Sequence, residues 1–134
     1  MSYARIVVDT NILVSAGLWP TSTPADALRK VLQTGILVTN RSMMLEMAQV
    51  FQRSKFDRYA TIQMRRDFLN LVLDKADIAP DGIPVSACRD PRDNHVLEAA
   101  VNGAADTIIT GDTDLLVLSP FHSVRILTPG DYLK

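Results

Sequence analysis

Two periods of apolar residues alternate along this chain. Short β-branched runs at residues 3–8, 36–39, 107–110 and 124–127 have the length and composition of buried strands. Between them the apolar positions fall at helical spacing. Thr23 reads as an N-cap, Pro24 as a first helical residue and Asp26 as an acid favouring the positive end of the dipole, and Gly35 ends that helix. Its buried stripe is Ala25, Leu28, Val31 and Leu32. A second helix, at about 42–54, turns Met43, Met44, Met47, Val50 and Phe51 to one face, with Glu46 on the flank of that face. A third, at 61–75, is expected to point Ile62, Met64, Phe68, Leu71 and Val72 inward and Arg65 and Arg66 outward. Pro80, Gly82, Pro84 and Pro91 break up residues 76–92, which leaves room only for short strands. A fourth helix starts near Pro91, carries Val96, Leu97, Ala100 and Val101, and stops at Gly103. Short helical turns are expected at 114–118 and after Thr128. Strands and helices therefore alternate. This predicts a three-layer α/β domain, a central parallel sheet of four or five strands with helices on both faces.

Bulk properties narrow the class. The 134 residues suit one domain spanning 1–134, and 47% apolar with 22% charged residues is an ordinary globular balance. Cys88 is the single cysteine, so no internal disulfide can form and a cytoplasmic location is expected. Neither a signal peptide nor a run of about 20 apolar residues is present, so no membrane association is expected. The net charge of −1 removes any argument from global basicity for nucleic-acid binding. Residues 41–66 are nonetheless locally basic, with Arg41, Arg53, Lys55, Arg58, Arg65 and Arg66 against Glu46 and Asp57. The stretch reads either as a solvated helix face or as a phosphate-contacting rim.

The candidate chemistry lies in four acids far apart in sequence. Asp9 ends the first apolar run and Asp112 follows a later one, whereas Glu46 and Asp93 lie on helices. Side chains at the carboxyl ends of strands in an open α/β sheet converge on one cleft. Four carboxylates there repel one another unless a cation sits among them, and oxygen-only ligands suit Mg²⁺ or Mn²⁺. That combination points to metal-assisted phosphate chemistry. Taken singly, each acid also has a plain structural reading as a turn former, a surface helix residue or a cap. Taken together, both strand-end acids stand beside small polar groups (Thr10 and Asn11, Thr110 and Thr113) that can orient a carboxylate without adding charge. Asp114 adds an acid at the edge of the group. His95, two residues past Asp93 on a helix, is expected to point away from it, and no second histidine stands at zinc-site spacing. Neither a phosphate-binding P-loop nor a G-x-S-x-G elbow is present.

Three segments carry a resemblance. They are Val7-Val8-Asp9-Thr10-Asn11-Ile12-Leu13-Val14-Ser15-Ala16, Arg89-Asp90-Pro91-Arg92-Asp93-Asn94-His95-Val96-Leu97-Glu98-Ala99-Ala100, and Ala105-Asp106-Thr107-Ile108-Ile109-Thr110-Gly111-Asp112-Thr113-Asp114-Leu115-Leu116. In order and content they resemble the acidic motifs of PIN domains. The closing Val124-Arg125-Ile126-Leu127-Thr128-Pro129 is similar to the branch of bacterial toxin–antitoxin toxins. The resemblance implies a Rossmann-like domain and a ribonuclease acting on single-stranded RNA with Mg²⁺ or Mn²⁺. It implies a quartet of Asp9, Glu46, Asp93 and Asp112 as catalytic and metal-binding residues, with Asn11 supporting Asp9 and with Thr110 and Asp114 at the rim. Arg65 and Arg66 are the expected RNA contacts. It also implies a homodimer and a partner antitoxin. Two other readings stay open: a PIN-like module that binds RNA or protein without cutting, and a haloacid-dehalogenase-like phosphatase. In the phosphatase the second acid of the first motif would stand where this chain has Asn11.

Overall fold

Five parallel strands divide the apolar residues into two cores. In the computed structural model, which describes residues 3–88 and 90–134, they run as β1 (Ala4–Val8), β2 (Gly35–Thr39), β3 (Asp77–Ile78), β4 (Thr107–Ile109) and β5 (Arg125–Leu127). Arg89 and the side chain of Arg92, both within the third motif, lie outside this description, as do Met1 and Ser2. The helices are α1 (Thr10–Leu18), α2 (Thr23–Thr34), α3 (Arg41–Phe51), α4 (Ile62–Lys75), α5 (Asn94–Asn102), α6 (Thr113–Leu116) and α7 (Pro129–Leu133). The sheet order is β3-β2-β1-β4-β5. Successive strand residues point to opposite faces. Ile6, Val8, Leu37 and Ile109 thus join the core under α1, α2 and α4, whereas Val7, Val38 and Ile108 join the core under α5. The central strand β1 pairs with β2 through Ile6–Leu37 and with β4 through Val8–Ile109. The chain leaves β1 toward β2 and later returns to the other side of β1 as β4. The carboxyl ends of β1 and β4 therefore flank the point where strand order reverses, the usual place for a crevice.

The expected α/β architecture is the one observed, with five strands. Helix α1 went unassigned in the sequence because its run of apolar residues lacks a polar face, which leaves periodicity uninformative. Thr10, Ile12, Leu13, Val14, Ala16 and Leu18 are all buried. Gly17 lets α4 approach it: a Cβ there would lie 2.6 Å from the ring of Phe68.

The face of α4 differs from the expectation. Met64 is 60% exposed and Leu71 49%, while Arg65 is only 2% exposed. The inward stripe is Arg65, Phe68 and Val72. A buried arginine is tolerable when its donors are met. Arg65 donates to the carbonyls of Phe51 at 2.7 Å, Arg53 at 3.1 Å and Thr61 at 3.4 Å, and it pairs with Asp57. It thereby ties the end of α3 to α4.

The proline-broken stretch before α5 is held by side chains in place of a sheet. Asn102 exchanges two hydrogen bonds with the backbone of Ile83, at 3.0 and 3.1 Å. Glu98 accepts from the Val85 N–H at 3.1 Å, and Asn94 accepts from those of Ala87 and Cys88 at 3.1 and 2.9 Å. Residues 94, 98 and 102 share one helix face, so α5 clamps the extended segment that leads into the third motif. No helix among the described residues is long and apolar enough to cross a membrane.

Candidate functional site

The loops at the carboxyl ends of the strands enclose a cleft of about 710 Å³, lined by Asp9, Asn11, Glu46, Asp93, Asp112 and Asp114 among others. Asp9 follows β1 directly. Its N–H donates to the Ile109 carbonyl at 2.9 Å, and its own carbonyl accepts from Ile12 and Leu13 at 3.0 and 3.1 Å, starting α1. The Thr110 hydroxyl donates to Asp9 Oδ2 at 2.7 Å and accepts from the Asp112 N–H at 3.0 Å. Thr110 is fully buried, and its hydroxyl couples the two strand-end acids. Asp112 then caps α6, with its Oδ1 accepting from the Asp114 N–H at 2.9 Å.

Asp93 closes a 3₁₀ turn over Pro91–Asp93, just ahead of α5. One carboxylate oxygen from each of Asp93, Asp112 and Asp114 lies within 4.8 Å of the others. Asp114, expected at the rim, thus stands with Asp93 and Asp112 in the closest acidic group among the described residues. Glu46 reaches the same cleft from α3. Asn40 sets that helix: its Oδ1 caps α3 by accepting from the Met43 N–H at 2.9 Å, and its Nδ2 donates to the His95 carbonyl at 3.0 Å. One buried side chain therefore joins the helix of Glu46 to the helix that follows Asp93.

Arg65, expected outward as an RNA contact, is instead buried under the end of α3. Thr110, expected at the rim, is fully buried and is not among the residues lining the cleft. Arg66 is exposed, as expected, and likewise does not line the cleft. The arginine of the basic stretch that does line it is Arg53. His95, expected to point away from Asp93, is nonetheless among the residues lining the cleft, with its Nδ1 3.7 Å from Glu98 Oε2. The signals that could have found these features are the Asn at position 40 as a cap and the Pro91 that opens a tight turn.

The crowding of acids changes their protonation. Burial pushes the Asp93 carboxyl up to about 6, helped by its hydrogen bond with Asp112 and by the charges of Asp112, Asp90 and Asp9. Burial also raises Asp9, reinforced by Asp112 and opposed by the Thr110 hydroxyl and the N–H groups of Thr10 and Asn11. Cys88 is driven up to about 11 by burial and by Asp93, Asp112, Asp114 and Asp90, so its thiol stays protonated. A nucleophilic role needs the thiolate. The cluster of Asp93, Asp112 and Asp114 is thus an all-oxygen donor set suited to a hard divalent cation.

Comparison with known proteins agrees with this geometry. The family sequence model described as PIN domain matches residues 5–114. PAE2754 from Pyrobaculum aerophilum has a similar structure, with a TM-score of 0.62 at 12% identity over 98% of this chain and 88% of that one. VapBC2 from Rickettsia felis, bound to a DNA fragment from their promoter, gives 0.61 at 13% identity over 91% and 96%. FitAcB from Neisseria gonorrhoeae gives 0.58 at 16% identity over 93% and 98%. Identities this low establish a shared fold. No curated protein gives a significant sequence match.

Proposed function

The chain belongs to the PIN-domain family, and from that premise we propose that it is a metal-dependent endoribonuclease hydrolysing phosphodiester bonds of single-stranded RNA. The observation that carries this reading is the convergence of Asp9, Glu46, Asp93, Asp112 and Asp114 on one cleft where the strand order reverses. The donor set fits Mg²⁺ or Mn²⁺: it is all oxygen, and three carboxylates already approach one another within 4.8 Å. Asp93, Asp112 and Asp114 would hold the ion, with Asp9 and Glu46 bound directly or through water. When bound, the ion supplies Lewis acidity toward the phosphate and lowers the pKa of water.

The residues of the chain supply the rest. Thr110 holds one Asp9 oxygen, so this carboxylate is oriented before substrate arrives. Asn11 lines the cleft beside it as a neutral support. Glu46, which lines the cleft from a separate helix, would complete the acidic site around the ion. Because water attacks, no ribose 2′-hydroxyl is needed, and the products carry 5′-phosphate and 3′-hydroxyl ends. We assign the protein to the cytoplasm as the toxin of a toxin–antitoxin pair, held by an antitoxin and assembling as a homodimer. Support comes from its closing motif and from the fold it shares with VapBC2 and FitAcB.

The test is incubation of purified protein with a pool of single-stranded RNA and Mn²⁺ or Mg²⁺, beside Asp9→Asn. Metal-dependent cutting to 5′-phosphate ends by the parent and not by the variant is the expected result. RNA binding without cutting by the parent would favour the non-cleaving module instead.

A further inference from the structure

One wall of the cleft is a stripe of α3, Ser42, Leu45, Glu46, Gln49 and Val50, continued past the helix end by Arg53. They follow one another at i, i+3, i+4, i+7, i+8 and i+11, the spacing of a single helix face. Arg53 stands just past the end of α3, about 10 Å along the helix axis from Glu46 at 1.5 Å per residue. It is exposed, and no ion pair joins it to a carboxylate among the described residues. The same cleft is lined by Asp9, Glu46, Asp90, Asp93, Asp112 and Asp114. A polyanion entering such a cleft needs positive charge on its walls as well as at its centre. Arg53 is the one arginine among the described lining residues.

Its surroundings favour an anion there. The last carbonyls of a helix carry negative partial charge and repel phosphate. Here the carbonyls of Phe51 and Arg53 both accept from buried Arg65. This clamp offsets the helix end and fixes the backbone that carries Arg53.

We propose that Arg53 forms a phosphate subsite at the outer end of the α3 wall, binding an RNA backbone phosphate that flanks the scissile one. The assignment rests on the single-stranded RNA reading above and deepens it by naming where the strand is held.

The experiment separates the two. Fluorescence anisotropy of a labelled single-stranded RNA is followed across a salt series with Asp9→Asn protein as the uncut background. Adding Arg53→Ala should weaken binding several-fold at low salt and reduce the slope of log affinity against log salt by about 0.7, one phosphate contact. Arg53→Lys should restore the slope, because it keeps the charge. Arg66→Ala, outside the cleft, should leave the slope unchanged. An equal slope for Arg53→Ala and its parent overturns the subsite, and so does an absence of RNA binding by Asp9→Asn. Cleavage by the wild-type chain with Mn²⁺ reports separately on the nuclease reading, which stands or falls on that assay alone.

Discussion

The two halves of the acidic cleft are built by different means. Asp9 and Asp112 sit at the ends of adjacent strands and are joined by a short relay through one buried hydroxyl, Thr110. Their positions follow from strand pairing, since Val8 faces Ile109 in the register. Glu46 and Asp93 are carried by α3 and by a 3₁₀ turn ahead of α5. Long-range side-chain contacts set them: Asn40 between α3 and α5, Arg65 beneath the end of α3, and the 94–98–102 clamp. The sheet places its two cleft carboxylates through regular backbone pairing, whereas the helix-borne pair depends on single polar side chains that can be removed one at a time.

The sharpest way to break the strand-end half is chemical. Asp9→Asn keeps the side-chain shape and removes one charge from a crowded site. RNA cleavage should fall by about 10³-fold, while the metal-free melting temperature stays level or rises as repulsion is relieved. A folded Asp9→Asn that cuts at the wild-type rate would remove Asp9 from the chemistry.

The helix-borne half should break structurally. Arg65→Met leaves the carbonyls of Phe51 and Arg53 without their donor and should cost about 3 kcal/mol in urea unfolding. Its partner Asp57 is 67% exposed, so Asp57→Asn should cost well under about 1 kcal/mol. Similar losses from both would mean that the ion pair, not the carbonyl clamp, carries the stability.

A smaller effect is expected at Asn40. Asn40→Ala removes a helix cap and the tie to His95, for about 1–2 kcal/mol. Cleavage should fall more than stability explains, because Glu46 loses its register with Asp93. A variant whose cleavage per folded molecule equals wild type would show that Asn40 only caps.

The mildest test is pH. The Asp93 carboxyl is raised from its ordinary 3.8 to about 6. Between those values the folded state holds a proton that the unfolded state has lost, so its share of metal-free stability is present at low pH and fades as pH rises through about 6. Mn²⁺ affinity should move the opposite way, rising through the same window as the ligand deprotonates. Asp93→Asn should flatten both trends. A wild-type melting temperature that climbs from pH 4 to 6.5 without metal, with Asp93→Asn climbing in parallel, would contradict this assignment.

Much of the architecture was legible along the chain. Strand runs, Gly35, Gly103 and the turn after Thr128 mark their elements because local backbone preferences act over a few residues. The two strand-end acids were legible for the same reason: an acid that follows a buried parallel strand has one place to go. Three things required the folded chain. Arg65 points inward because three carbonyls and a carboxylate, on segments up to 14 residues away, converge to satisfy it. His95 joins the cleft lining, which no spacing along the chain announces. Asp114 joins Asp93 and Asp112 because α6 starts on the Asp112 cap and turns the next acid inward. Periodicity counts polarity along one element, whereas burial of a charge and convergence of acids depend on what other elements bring to meet them.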